Sequence, residues 1–205
     1  MTSSQPLSLA ILISGRGSNM RAIHRAIVEG RLDARISAVI SDQSDAAGLA
    51  YAEGEGLLTA VVAKQKGESR EDYDRRLIAK IEENRPRIVA LAGFMRLLSP
   101  LFIAHFQDRI VNIHPSLLPS FPGLHAQRQA LEAGVRFSGC TVHFVDDGCD
   151  SGPIIDQRVV RVLPEDDEKS LSDRILAEEH QLYSSCLQKI AEGKVRVEGR
   201  RVFLR

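Results

Sequence analysis

Near its start the chain has an almost continuous apolar segment, Leu7 to Ser14, which ends at Gly15. A strand that is apolar at successive positions is buried on both faces, as happens in parallel sheets covered by helices. The segment that follows has apolar residues at helical spacing, from Met20 to Ile27. This part of the chain therefore predicts a strand followed by a helix, the repeating unit of α/β folds.

The same alternation continues through the first half of the chain. Pro86 ends one predicted helix, and Ser99 followed by Pro100 is typical of a helix N-terminus. The further predicted strands are 35–40, 57–62 and 88–92, and the further helices are 46–55 and 68–84. Repeated alternation of strand and helix predicts an α/β protein with a Rossmann-like, doubly wound, mostly parallel sheet and helices on both faces.

The second half of the chain is less regular. Ser170 and Asp173 resemble a capping box at the start of a long helix. The predicted elements are strands at 109–113, 140–145 and 154–162, helices at 127–132 and about 171–191, and a hairpin within 194–204. Because no repeat or clear linker divides the sequence, we expect a single domain over residues 1–205, with halves of about 1–108 and about 109–193.

Composition excludes several classes of protein. The chain has 27 basic and 27 acidic residues, so it lacks the basic excess that drives nucleic-acid binding. No apolar run reaches the length of a membrane span, and Met1 to Pro6 is polar, so we expect no signal peptide and no membrane association. Three cysteines without Cys-x-x-Cys spacing favour a reducing compartment, and we expect the protein in the cytoplasm.

The first predicted strand is followed by a glycine-containing turn, Ser14-Gly15-Arg16-Gly17-Ser18-Asn19. Glycines let the backbone approach a ligand, and the N-terminus of the next helix offers free N–H groups to an anion. Met20 stands where a dinucleotide fingerprint needs a third glycine, and the lysine of a Walker loop is missing. The turn is either a monophosphate or carboxylate site, or a plain tight turn with Ser18 or Asn19 as helix cap.

Asn112 and His114 lie at the end of a predicted buried strand, followed by Pro115 and Pro119. Alternation along a strand places the two side chains on the same side. In open α/β sheets, ligands bind beyond the carboxyl ends of the strands. An amide and an imidazole in this place can hold a carbonyl group and the oxyanion formed from it. The alternative is a structural histidine with satisfied hydrogen bonds.

An acidic loop runs from Asp146 to Pro153 between two predicted strands. It lacks the terminal glutamate of an EF-hand, and no histidine pair has metal-ligand spacing, so we expect no metal. A carboxylate of this loop beside His114 would keep the imidazole protonated for acid catalysis. A solvated turn is the alternative. Cys140 and Cys149 are expected to be buried, inert thiols. His143 alternates with Val142 and Phe144 in a predicted strand, and we expect it to face the crevice.

The chain resembles the glycinamide ribonucleotide formyltransferase family in four segments taken in order. They are Leu12 to Asn19, Leu91 to Pro100, Asn112 to His125, and Gly139 to Pro153. The resemblance extends from about Leu7 to the last predicted helix, and the four motifs together are highly specific. It implies the formyltransferase fold, with phosphate binding in the N-terminal half and folate binding and catalysis in the C-terminal half.

The resemblance implies transfer of the formyl group of 10-formyltetrahydrofolate to the amine of glycinamide ribonucleotide, in de novo purine biosynthesis. It implies three catalytic residues: His114 stabilises the oxyanion and relays a proton, Asn112 donates to the formyl oxygen, and Asp150 keeps the histidine protonated and orders a water. The ribonucleotide-binding residues it implies are Gly17, Ser18, Asn19, Leu176, Ala177, Glu178 and Glu179. The folate-binding residues it implies are Arg70, Met95, Arg96, Leu97, Leu98, Asn112, Asp146, Asp147, Gly148, Cys149 and Asp150.

Three other functions compete with this one. Methionyl-transfer-RNA formyltransferases share the Asn112 to Pro119 motif but carry a further domain and a transfer-RNA surface. Formyltetrahydrofolate hydrolases use water in place of the amine. A non-catalytic nucleotide-binding module would need only the glycine turn, which leaves Asn112, His114 and Asp150 without a common purpose. Arg16 and Ser151 depart from the residues common in the family. We expect small-molecule substrates, no nucleic-acid partner, and a monomer or weak homodimer.

Overall fold

The computed structural model describes residues 5–205, so the first four residues of the polar segment Met1 to Pro6 lie outside the described part. Contacts group the chain into two compact units, the residues up to Val111 and Asn112–Arg205. The division falls within one strand, Ile110–His114. The expectation of a single domain stays a prediction. Among the described residues, no helix is both long and apolar enough to cross a bilayer.

The first unit alternates strands and helices as the sequence predicts. Its strands are β1 (Leu7–Ile13), β2 (Ala34–Ser41), β3 (Thr59–Val61) and β4 (Ile88–Leu91). Its helices are α1 (Ser18–Val28), α2 (Ala47–Gly54), α3 (Arg70–Glu82) and α4 (Pro100–His105). Every residue of β1 is buried, as expected for a strand that is covered on both faces.

The second unit follows β5 (Ile110–His114), whose last residues belong to it. Its further strands are β6 (Phe137–Phe144), β7 (Ile154–Arg161), β8 (Val195–Glu198) and β9 (Arg201–Leu204), and its helices are α5 (Ala126–Glu132) and α6 (Glu168–Ala191). Its core contains buried residues of α6, such as Leu171, Ile175 and Leu182, and of β6, such as Cys140 and Val142. The predicted terminal hairpin is confirmed, because β8 and β9 pair antiparallel.

Seven strands of the described chain form one sheet in the order β3-β2-β1-β4-β5-β6-β7. β1 pairs in parallel with both β2 and β4, β2 pairs in parallel with β3, and β6 pairs antiparallel with β7. From β1 the chain therefore builds outward through β2 and β3, and then returns to add β4 on the other side. This reversal is the mark of a doubly wound sheet, so the predicted α/β class is confirmed.

Helix ends confirm one predicted cap and correct another. Ser99 caps α4, since its side chain accepts from the backbone N–H of Phe102. The predicted capping box of Ser170 and Asp173 is wrong. The cap is Asp167, whose carboxylate accepts from Ser170 N at 2.7 Å while Ser170 Oγ accepts from Asp167 N at 3.0 Å. The sequence interpretation placed the helix start at the first apolar residue, whereas hydrogen bonding starts it one turn earlier.

Candidate active site

The turn between β1 and α1, Gly15 to Asn19, is here called the glycine turn. Gly17 is the N-cap of α1 with φ +66°, a left-handed conformation that costs a residue with a Cβ about 1–2 kcal/mol. Within residues 5–205, no side chain caps this helix. Gly17 therefore holds the cap position that the alternative interpretation gave to Ser18 or Asn19. Such a helix start suits an anion.

A second glycine keeps the glycine turn tight. Gly48, in the first turn of α2, donates its N–H to the carbonyl oxygen of Gly15 at 3.0 Å. A Cβ added to Gly48 would lie 3.1 Å from that oxygen and 3.2 Å from the Cα of Gly17, closer than side-chain carbons usually come. The first turn of α2 therefore packs closely against the backbone of the glycine turn, and a side chain at position 48 would force these neighbours to shift.

The segment after β4 meets the end of β1 at the point where the winding of the sheet reverses. Ser14 N donates to the carbonyl of Gly93 at 3.0 Å, and Met95 N donates to Ser14 Oγ at 2.9 Å. Ligands of open α/β sheets bind at this reversal point. Met95 and Leu97 expose 67% and 65% of their surface, which makes them unpaired apolar side chains in a place where a ligand can cover them.

The guanidinium of Arg96, in the same segment, is turned to the protein. Arg96 Nε donates to Asp42 Oδ2 at 2.7 Å, and the guanidinium carbon lies 5.0 Å from the centre of the Tyr73 ring. Asp42 is 5% exposed, so this ion pair is largely removed from water. Arg70, another predicted folate residue, begins α3 and is exposed.

In the second unit, four side chains form what is here called the histidine cluster: Asn112, His114, His143 and Asp150. His114 Nδ1 lies 3.3 Å from Asp150 Oδ2, and Asn112 Nδ2 lies 3.2 Å from His143 Nε2. His143 Nε2 in turn lies 3.7 Å from Asp150 Oδ1, which links the two pairs. The structure thus brings together the three residues predicted as catalytic, and it adds His143.

His114 is held from both sides of its ring. The ring is 5% exposed, Nε2 lies 2.8 Å from the carbonyl oxygen of Phe121, and Nδ1 faces Asp150. A carbonyl and a carboxylate both accept hydrogen bonds, and the two of them match the two N–H groups of an imidazolium. Phe121 has φ +56°, an uncommon conformation for a residue with a side chain, and its carbonyl is the one that meets the ring.

Asp150 is also held by a backbone group. Its Oδ2 also accepts from the N–H of Gly123 at 2.8 Å, and Asp150 itself has φ +51°. Asp146 closes the base of the same loop, since its Oδ1 accepts from Ser151 Oγ at 2.7 Å and from Gly148 N at 3.1 Å. The acidic loop is therefore a set of internal hydrogen bonds that places one carboxylate, that of Asp150, against His114.

The two cysteines that were expected to be inert, Cys140 and Cys149, differ in burial. Cys140 is buried in β6, and burial raises its pKa to about 12, as expected for an inert thiol. Cys149 is exposed, so the expectation that it is buried is wrong. It lies in the acidic loop that the sequence predicts, and a thiol in a loop is buried only if the loop folds over it. Partial burial and then the neighbouring Asp150 raise the pKa of the Cys149 thiol.

The remaining predicted residues lie on the last helix and in the acidic loop. Leu176 to Glu179 are in the middle of α6, and Glu179 is 6% exposed. Asp147 and Gly148 are exposed. The described residues contain no cluster of three His, Cys, Asp or Glu side chains arranged to hold a metal, and the expected independence of metal stays a prediction.

Sequence reasoning missed the role of His143 in the cluster and two backbone groups that contact the cluster. His143 alternates with buried Val142 and Phe144, which is a pattern of many strands, and only its partners distinguish it. The Phe121 carbonyl and the Gly123 N–H are backbone groups that carry no residue-type information. A conformational cue was present for one of them, because Pro122-Gly123 favours a turn.

Known proteins resemble this chain in both sequence and fold. Residues 7–187 match the formyl transferase family. The chain is 43% identical to a phosphoribosylglycinamide formyltransferase of Escherichia coli over 191 residues, which are 93% of this chain and 90% of that protein. A crystal structure of glycinamide ribonucleotide transformylase 1 from Symbiobacterium toebii superposes with a TM-score of 0.96 at 46% identity, covering 98% of this chain and 95% of the other.

A relative with a different named activity has the same fold. A formyltetrahydrofolate deformylase from Pseudomonas syringae superposes with a TM-score of 0.92 at 25% identity, covering 98% of this chain and 67% of the other. Backbone similarity therefore does not separate a transferase from a hydrolase, and the choice between them depends on higher sequence identity and on experiment.

Proposed function

The chain belongs to the formyl transferase family, and we propose that it transfers the formyl group of 10-formyltetrahydrofolate to the amine of glycinamide ribonucleotide. The products are formylglycinamide ribonucleotide and tetrahydrofolate, a step of de novo purine biosynthesis. The named activities of the relatives at 43% and 46% identity support this acceptor. The observation that carries the proposal is the 3.3 Å approach of His114 Nδ1 to Asp150 Oδ2 beside Asn112.

The reaction needs charge stabilisation and proton transfer, without a covalent enzyme intermediate. The amine nitrogen attacks the formyl carbon, and the π electrons of the carbonyl move to its oxygen. The resulting tetrahedral oxyanion collapses and breaks the bond from that carbon to N10 of the folate. The amine loses one proton and N10 gains one, so that atoms and charge balance.

The histidine cluster supplies the groups for both tasks. The imidazolium of His114 and one N–H of Asn112 stabilise the oxyanion, and a donor placed in this way contributes about 10²–10³-fold in rate. Asp150 holds His114 in its protonated form and orders a water that carries the proton, a contribution of about 10²–10⁴-fold. Because both ring nitrogens of His114 already face acceptors, a ring N–H reaches the oxyanion only when one contact opens or is shared.

The ribonucleotide binds through its phosphate at Gly17, Ser18 and Asn19. The support is the left-handed Gly17 and the backbone N–H groups at the start of α1. Leu176, Ala177, Glu178 and Glu179 on α6 are the further ribonucleotide residues, and the buried carboxylate of Glu179 is suited to an amine or a ribose hydroxyl.

The folate-binding residues of this proposal are those that the family resemblance implies. They are Arg70, Met95 to Leu98, Asn112 and the acidic loop from Asp146 to Asp150. Arg96 Nε already donates to Asp42. The exposed side chains of Met95 and Leu97 are suited to an aromatic ring system.

The expectations about context stay predictions. They are a cytoplasmic location, a monomer or weak homodimer, substrates that are small molecules, and no metal, nucleic acid or membrane partner.

One assay tests the proposal against the hydrolase. The protein is incubated with 10-formyltetrahydrofolate, with and without glycinamide ribonucleotide, and the release of tetrahydrofolate is followed. A matched reaction with His114→Ala measures the background. We expect release that depends on the ribonucleotide and yields one formylated product for each tetrahydrofolate. Equal release without the ribonucleotide contradicts the proposal and supports hydrolysis.

A further inference from the structure

We propose that His143 is a positioning residue: as a neutral imidazole protonated on Nδ1, it holds the amide of Asn112 in the orientation that points an N–H at the reacting oxygen. This inference rests on the proposed function, in which Asn112 donates to the formyl oxygen. His143 lies in β6 and is 1% exposed, so its ring contacts protein on every side.

The hydrogen bonds of His143 determine which nitrogen carries the proton. Nδ1 lies 2.8 Å from the carbonyl oxygen of Phe144, an atom that only accepts. Nδ1 therefore carries the hydrogen. In a neutral ring Nε2 then has a free lone pair, and it lies 3.2 Å from Asn112 Nδ2, which has two hydrogens to donate.

The surroundings of the ring favour the neutral form. Burial lowers the pKa of His143, and the electrostatic effect of nearby His114 acts in the same direction. The Phe144 carbonyl and the carboxylates of Asp150 and Asp146 oppose this, but the pKa remains below its ordinary value. Neutrality matters because a protonated Nε2 would point its hydrogen at Asp150 Oδ1, 3.7 Å away, and could no longer accept from Asn112.

The orientation of the Asn112 amide has a chemical consequence. One Nδ2 hydrogen bonds to His143, and the second stays available for the formyl oxygen, whose negative charge grows during the reaction. Without the acceptor at His143, nothing in this contact distinguishes the amide from its form rotated by half a turn. That form would present Oδ1, a second acceptor, toward the same side and would repel the oxyanion.

A double-mutant cycle tests this role. His143→Phe keeps a buried ring and removes the acceptor, and we expect it to lower kcat by about 10–100-fold, with each KM changed less than about threefold. In an Asn112→Ala background the same change should lower kcat by less than about threefold, because the amide that His143 orients is gone. A purely structural role of His143 would cost the same in both backgrounds, and that result overturns the proposal.

A conservative variant and a buried control sharpen the test. His143→Gln restores an acceptor, and we expect it to recover kcat to within about tenfold of the parent. His24→Phe removes another buried histidine, one whose Nδ1 lies 3.0 Å from the Tyr51 hydroxyl on the first unit, and should leave kcat unchanged. If His143→Gln is as slow as His143→Phe while both remain folded, the acceptor role is excluded.

A measurement on the unmodified protein needs no activity. Nitrogen-15 NMR of the imidazole distinguishes the Nδ1–H form, the Nε2–H form and the imidazolium. We expect the Nδ1–H form at neutral pH, and either of the others overturns the proposal. Failure of formyl transfer by the parent protein would instead contradict the proposed function, so the two failures are distinguishable.

Discussion

The glycine turn presents its hydrogen-bond donors from the backbone, whereas the histidine cluster presents them from side chains. In the glycine turn, conformation decides the geometry: Gly17 adopts φ +66° and Gly48 leaves room for the backbone beside it. In the histidine cluster, contacts decide it: each ring nitrogen of His114 and His143 faces a partner in the second unit.

The difference determines how each region handles negative charge. Backbone N–H groups and a helix start form a fixed partial positive charge that does not titrate, which suits the tight holding of a phosphate that stays charged throughout. Imidazole and carboxylate groups exchange protons, which suits an oxyanion that appears and disappears within one turnover. A changed side-chain charge should therefore affect mainly kcat in the histidine cluster and mainly KM in the glycine turn.

Removing a negative charge from the histidine cluster should have the largest effect. Asp150→Asn keeps the shape and an oxygen for the Gly123 N–H but no longer stabilises a protonated His114, so we expect kcat to fall at least about 100-fold while the protein stays folded. Steady-state kinetics and circular dichroism measure the two quantities. Normal turnover by the variant would remove Asp150 from the mechanism.

Adding a negative charge to the glycine turn should have a smaller and different effect. Ser18→Asp places a carboxylate where the phosphate is proposed to bind, and repulsion should raise the KM for the ribonucleotide about tenfold, or about 1.4 kcal/mol, with the folate KM nearly constant. Ser18→Asn, nearly the same shape without the charge, is the control. If both variants behave alike, charge at this turn is irrelevant and the phosphate binds elsewhere.

The smallest expected effect is a change of folding stability with pH. It should be present for a variant of the histidine cluster and absent for a variant of the glycine turn. Because the folded pKa of His143 is lowered from 6.5, the unfolded chain takes up this proton at a higher pH than the folded chain does. The contribution of His143 to stability is thus full above 6.5 and is lost as pH falls through 6.5 toward the lowered pKa.

Urea unfolding of the parent and of His143→Gln at about pH 8 and about pH 5 measures this contribution. We expect the stability of the parent, relative to the variant, to be lower at the acidic pH. Ser18→Asn, a change in a turn whose residues do not titrate in this range, serves as the comparison and should show no such dependence. An equal difference at both pH values for His143→Gln contradicts a buried neutral ring.

Much of the fold could be predicted because it follows from local patterns. The apolar run at β1 and the helical spacing after it reflect burial of whole elements, which hydrophobicity periods record directly. The ends of elements were harder, as α6 shows: its capping box lies at Asp167, outside the apolar period. A cap is a hydrogen bond of one side chain, and several residues of the right type stood near that end.

The residues of the candidate site also differ in how far the sequence alone could predict them. Gly17 was predictable because a left-handed turn before a helix restricts the residue type, so a glycine at this position indicates the turn. Asp150 was named from family resemblance, since three aspartates of the acidic loop fit the chemistry equally well. Cys149, one residue before it, was wrongly expected to be buried, because exposure within a loop depends on how that loop folds back.

The sequence by itself determined the order of strands and helices, the glycine turn and the residue types able to do acid–base chemistry, because these depend on neighbours in the chain. Only the tertiary structure decided that Asp150 meets His114, that His143 meets Asn112, and which nitrogen of each ring faces a donor or an acceptor. Those contacts join residues up to 36 positions apart (Asp150 and His114), and their energies depend on distances and burial that no local pattern encodes.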